Sequence, residues 1–245
     1  MKFIIINNIN NNNKHCNIYI YNIWLTMTTL PTAELHIPSF IIYLIINILY
    51  LYLSYAQPQV TLRKFLKTLL IPSLILVYYQ SVPQTDKLLL ITLYLAFQGD
   101  TLLLFKQLLI AGAFTFFASD CLYLYLIYNT LDNNINYLHL SIFAIIVSLW
   151  YIIYVYPTLY KYLGNLKVRI FLFGFPLLMM SVCSIYKFML NHTLKNAVMS
   201  FGAMNYCISD YVLIRGWYKS KVKHYDFVVM LTYLIANACL VYALN

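Results

Sequence analysis

Charge is what this sequence has least of. Asp, Glu, Lys and Arg together make up 9% of its 245 residues, where a soluble domain carries about 25%. So few charges cannot coat a water-facing surface. Lipid must replace water around most of the chain, and a soluble catalytic domain is excluded. Metal motifs are missing too. His15, His36, His139, His192 and His224 are scattered with no HExxH among them, which argues against a metal-dependent protease or desaturase. Cys16, Cys121, Cys183, Cys207 and Cys239 form no CxxC, so neither a zinc site nor a disulfide framework is expected. The chain has no Pro-Ala-Leu of an intramembrane aspartyl protease, and no glycine-flanked acidic cluster of a phospholipid synthase. No internal repeat of the transporter kind stands out.

What is there is apolar: 62% of the residues are hydrophobic. The apolar residues gather into continuous runs at 39–56, 65–80, 88–105, 108–128, 138–156, 170–188, 197–214 and 227–244. Each is near the roughly 20 residues that span a bilayer as a helix. A membrane barrel would alternate apolar and polar residues instead. The expected fold is therefore all-α, a polytopic membrane bundle of about eight transmembrane helices over 38–245. Residues 1–37 differ, with a nearly pure asparagine tract at 7–13. They read as a disordered low-complexity tail, and Met27 reads as an alternative start. The 18–25 run is too short to span and has no cleavage site, so no signal peptide is expected. The 25 tyrosines and 15 phenylalanines partly cluster near run ends, as an interfacial aromatic belt does.

The net charge of +9 comes from basic residues in the gaps between runs, which is the pattern of membrane topology and not of nucleic-acid binding. Eight spans put Arg63, Lys64, Lys67, Lys106, Lys161, Lys167, Arg169, Arg215, Lys219, Lys221 and Lys223 on one side. Lys2, Lys14, Lys87, Lys187 and Lys195 fall on the other, a split of 11 to 5. Basic loops stay cytoplasmic, so both termini are expected outside the cytoplasm.

Three carboxylates sit inside apolar runs: Asp100, Asp120 and Asp210. Each costs about 2.5 to 3.5 kcal/mol to insert at the centre of a span. One alone reads as well as a bundle-holding hydrogen bond; three in a small bundle point to a functional cavity. Measured from the run ends, Asp100 and Asp210 lie roughly 6 to 8 Å inside the cytoplasmic end, and Asp120 about 18 Å. Tyr123 lies one turn from Asp120, and Tyr233 and Asn237 share a face of the last run. Lys67 enters the second run from the cytoplasmic end. It suits a carboxylate, a lipid phosphate or simple snorkelling.

The order of these features resembles the YhhN/TMEM86 family of eight-helix membrane proteins. Gly99-Asp100-Thr101-Leu102-Leu103 matches the family's Gly-Asp before an apolar stretch. Gly202-Ala203-Met204-Asn205-Tyr206-Cys207-Ile208-Ser209-Asp210 matches its Gly-Ala-x-x-x-x-Ile-Ser-Asp. Thr232-Tyr233-Leu234-Ile235-Ala236-Asn237 follows its Thr-Tyr-x-x-Ala-Gln, with Asn for Gln. Lys67 stands at the family's Lys-Pro, with Thr68 for proline, and Asp120-Cys121-Leu122-Tyr123 stands at its His-x-x-Tyr, with Asp for His.

The resemblance implies a lysoplasmalogenase. Such an enzyme takes a lysophospholipid as substrate and cleaves its vinyl ether to a fatty aldehyde and a glycerophospho-alcohol. A vinyl ether yields to acid, so the site needs a proton donor and a base for water. Asp100 and Asp210 are the expected acid–base pair. Asp120, Tyr123, Ser209, Tyr233 and Asn237 support it, and Lys67 with Lys64 or Arg63 holds the phosphate. No metal and no cofactor are expected. The partners are lysoplasmalogen and membrane lipids, and the expected setting is the endoplasmic reticulum membrane. The competing reading is a non-hydrolytic lipid-binding or transport protein of the same family.

Overall fold

A computed structural model describes residues 36–56, 60–131, 136–150, 167–218 and 224–245. The asparagine-rich segment up to residue 35 lies outside the described residues, as do Lys161, Lys219, Lys221 and Lys223 of the basic loops. Among the described residues there are eight α-helices and no strand. They are α1 (Ile37–Ala56), α2 (Val60–Ser81), α3 (Lys87–Leu102), α4 (Leu109–Asn129), α5 (Tyr137–Trp150), α6 (Lys167–Leu190), α7 (Leu194–Tyr218) and α8 (Tyr225–Leu244). A short 3-10 turn, Lys106–Leu108, joins α3 to α4. Helices are the expected outcome, because a helix satisfies its own backbone hydrogen bonds where no water can.

Five segments are long and apolar enough to cross a membrane by length and composition: Ile37–Ala56, Lys106–Asn129, Phe173–Leu190, Leu194–Gly216 and Tyr225–Leu244. The chain is an integral multi-pass membrane protein. Of the other helices, α2 carries Arg63, Lys64 and Lys67 in its first turns, while α3 has only 16 residues. Large apolar side chains line the outside, including Ile41, Ile45, Ile48, Phe65, Tyr79, Ile110, Phe114 and Phe201. That is the arrangement lipid selects, since an apolar surface costs nothing there.

Contacts at the helix ends fix an up–down order. The His36 backbone N–H donates to Ser81 Oγ, so α1 begins where α2 ends. Arg63 at the start of α2 pairs with Asp226 at the start of α8 at 2.9 Å. Lys195 Nζ near the start of α7 donates to the carbonyl of Asn245 beyond α8. The closest helix pair is α7 with α8, and α3 with α4 follows. Glycine makes both approaches. A Cβ on Gly202 would stand 2.8 Å from Cys239 Cβ and 3.2 Å from the Ala236 carbonyl oxygen of α8. One on Gly99 would stand 2.6 Å from the Phe116 ring of α4. By contrast, α5 packs chiefly on α6 and stays peripheral.

Helix ends differ from run ends in two places that matter. Helix α3 stops at Leu102, three residues before the apolar run does, so Asp100 sits about 3 Å from its helical end. Helix α7 continues past the apolar Ile214 through Tyr218, the last described residue of that stretch, about 12 Å beyond Asp210. Distance to a helix end is a separate quantity from depth in the membrane. Hydropathy marks where lipid-like residues stop, while the helix stops where its hydrogen-bond ladder does.

Candidate functional site

The site is built where α2, α3, α4, α7 and α8 meet. On α2, Lys67 turns inward and places Nζ 3.2 Å from Asp100 Oδ1. The other oxygen, Oδ2, accepts from the Tyr233 hydroxyl of α8 at 2.9 Å. Both oxygens of this carboxylate are thus held, one by a cation and one by a neutral donor. The Asp100 side chain is 4% exposed and that of Lys67 19%. Gly99 explains the local sequence. Without a side chain there, Phe116 of α4 can lie against α3 and also pack edge-on against Tyr233, with centroids 6.1 Å apart.

A second set lies deeper. Tyr123 of α4 donates to Asn237 Oδ1 at 3.0 Å, and Asn237 Nδ2 donates to the Tyr233 carbonyl at 3.0 Å. The two face-sharing pairs expected from spacing, Asp120 with Tyr123 and Tyr233 with Asn237, thus interlock across α4 and α8. Asp120 and Asp210 lie close enough for their charges to act on each other. Ser209, beside Asp210, donates to the Val229 carbonyl at 3.0 Å and fastens α7 to α8.

Tyr206 joins the two sets, and sequence reasoning missed it. Its ring stands edge-on to Tyr123 at 6.1 Å and to Tyr233 at 5.7 Å. Its hydroxyl lies near the Asp120 carboxyl, yet both Tyr206 OH and Asp120 Oδ1 are buried without a hydrogen-bond partner. Buried polar groups rarely stay unmatched, and one that does calls for a water or a ligand atom. The signal for Tyr206 was its position four residues before Asp210, one turn back on the same face.

Asp100 is engaged with Lys67 and Tyr233, while the electrostatic partner of Asp210 is Asp120. The three basic residues expected at a phosphate also divide. Lys67 is turned onto Asp100 and Arg63 onto Asp226, while Lys64 is exposed at the same end. Among the described residues no group of three or more His, Cys, Asp or Glu side chains comes together as a metal site would need.

The YhhN family model matches residues 62–244, from the first turn of α2 to the end of α8. The chain belongs to the YhhN family. No curated protein and no solved structure matches it. Every residue of the two sets lies inside the YhhN match, while α1 lies before it.

Proposed function

We propose that this YhhN protein is a lysoplasmalogenase-like hydrolase, with the Asp120–Asp210 pair at the reacting bond. The observation that carries the reading is a buried Asp120 carboxyl and a half-buried Asp210 carboxyl in each other's field, beside the buried Tyr206 hydroxyl. Two such groups are most stable sharing one proton, because both cannot be charged at close range in an apolar site. A shared proton supplies an acid and a base at once, and the pair titrates as a unit.

In this scheme the protonated carboxyl gives its proton to the β-carbon of the vinyl ether. The α-carbon becomes an oxocarbenium ion, stabilised by the carboxylate left behind. A water held between Tyr206 and Asp120 adds to that carbon and passes its proton to the carboxylate. The hemiacetal then collapses to aldehyde and glycerophospho-alcohol, so the net change is one water consumed. Lys67, Asp100 and Tyr233 hold α2, α3 and α8 around the site. Lys64, with Arg63 beside it, meets the phosphate at the membrane surface, and the hydrocarbon chain lies among the apolar helices.

The test is purified protein incubated with lysoplasmalogen and, separately, with an ester lysophospholipid, with aldehyde as the readout. Aldehyde from the vinyl ether alone is the expected result. Saturable binding of both lipids with no aldehyde would replace hydrolysis by the lipid-binding or transport reading.

The 11-to-5 charge split and the eight helices support termini outside the cytoplasm. A glycosylation acceptor in a C-terminal tag is expected to be modified. A tag reached only by cytoplasmic reagents would reverse the orientation.

A further inference from the structure

Helix α1 is inverted relative to a water-soluble helix. Its outward positions are Ile41, Ile42, Leu44, Ile45, Ile48 and Leu49. Its buried positions are Ser39, Tyr43, Asn47, Tyr50, Leu53 and Ser54, and all but Leu53 carry a polar atom. The spacing of four, four, three and four keeps the five polar residues on one face. They run about 22 Å along the helix, against α2 and α8. In lipid such a stripe is costly unless it meets polar partners.

Two of its atoms lack one. Asn47 Nδ2 donates to the Tyr43 carbonyl, but Asn47 Oδ1 is buried with no hydrogen-bond partner, and so is Ser54 Oγ. Both residues are more than nine-tenths buried. Between them, one turn from each, Tyr50 lies beside Ser54 and within the field of Lys67 and Asp100. The stripe therefore ends at the first set of the site.

We propose that α1, with α2 and α8, encloses a file of bound water anchored on Asn47 Oδ1 and Ser54 Oγ that reaches the Lys67–Asp100–Tyr233 set. Water is the ligand this chemistry fits, since a buried water usually makes about three hydrogen bonds to otherwise unmatched groups. The file's role as supply for hydrolysis rests on the function proposed above; its existence does not.

Radiolytic hydroxyl-radical labelling of the full chain in detergent, read by mass spectrometry, tests this. Radicals form from water in place, so Tyr43 and Tyr50 gain oxygen although buried. Met180 and Met199, at 0% and 1% exposure in the packed core, stay protected. Asn47→Leu with Ser54→Ala brings both tyrosines down to the level of Met180, and Ser54→Ala alone, a mild change, does so for Tyr50. Protection of Tyr43 and Tyr50 in the unaltered protein, or labelling unchanged in the variants, overturns the file. If the unaltered protein releases aldehyde and the folded double variant releases it equally fast, the supply role is overturned. If the unaltered protein releases none, the hydrolytic reading fails while the labelling still decides the file.

Discussion

Asp210→Asn is expected to lower aldehyde release by about 100- to 10,000-fold, the usual worth of a positioned proton donor or acceptor. The amide keeps the shape of the carboxyl but cannot give or take the proton. The expected partner effect is equally large, because Asp120→Asn removes the other half of a shared proton. The two losses should not add: once either carboxyl is gone the pair no longer exists, so the double variant falls little below either single one. Initial rates on lysoplasmalogen, normalised to protein that elutes as a single folded species, provide the measurement. Asp120→His behaves differently. It places the residue of the family pattern next to Asp210, and an imidazole holds and releases a proton near neutral pH. Turnover should be kept or raised. Full turnover in either Asn variant would remove the pair from the chemistry, whatever the fold.

The eight apolar runs each became a helix because composition alone dictates that outcome in lipid. Pairs on one helix face were legible for the same reason, as 3.6-residue periodicity places Tyr123 by Asp120 and Asn237 by Tyr233 whatever lies opposite. Which face meets which was not legible. Asp210 lies in the field of Asp120, while Lys67 and Tyr233 hold Asp100. Helix bounds do not follow hydropathy closely either. Phe105 lies outside the α3 helix though apolar, and Arg215 lies inside α7 though charged. Tyr206 was hidden by company, since one tyrosine among 25 carries no compositional signal until its ring is seen between two others. The α1 stripe was legible in principle, but its polar atoms are spread singly through an apolar run and look like tolerated exceptions until their common face is seen.

Lys67→Met is expected to be the most destabilising single change at the site. It leaves the buried Asp100 charge with the Tyr233 hydroxyl as its side-chain hydrogen-bond donor. Breaking a buried pair from one side costs about 3 to 5 kcal/mol. Asp100→Asn should cost less. The Lys67 side chain is 19% exposed and its stem is long enough to carry the ammonium toward the near membrane surface. The asparagine can still accept the bond from Tyr233. Lys67→Met combined with Asp100→Asn removes both charges together and should be more stable than Lys67→Met alone. Thermal denaturation midpoints in detergent, followed by the loss of monodisperse protein, give the order. Equal and additive losses would mean that the 3.2 Å pair contributes no coupling. The same double variant separates two roles for Asp100. A carboxyl that donates the reacting proton cannot be replaced, so turnover would vanish even after stability returned. A carboxylate that holds three helices around the Asp120–Asp210 pair can be replaced by a neutral pair of similar shape. The expected result is that the double variant keeps most of its turnover, because both Asp100 oxygens are already committed to Lys67 and Tyr233.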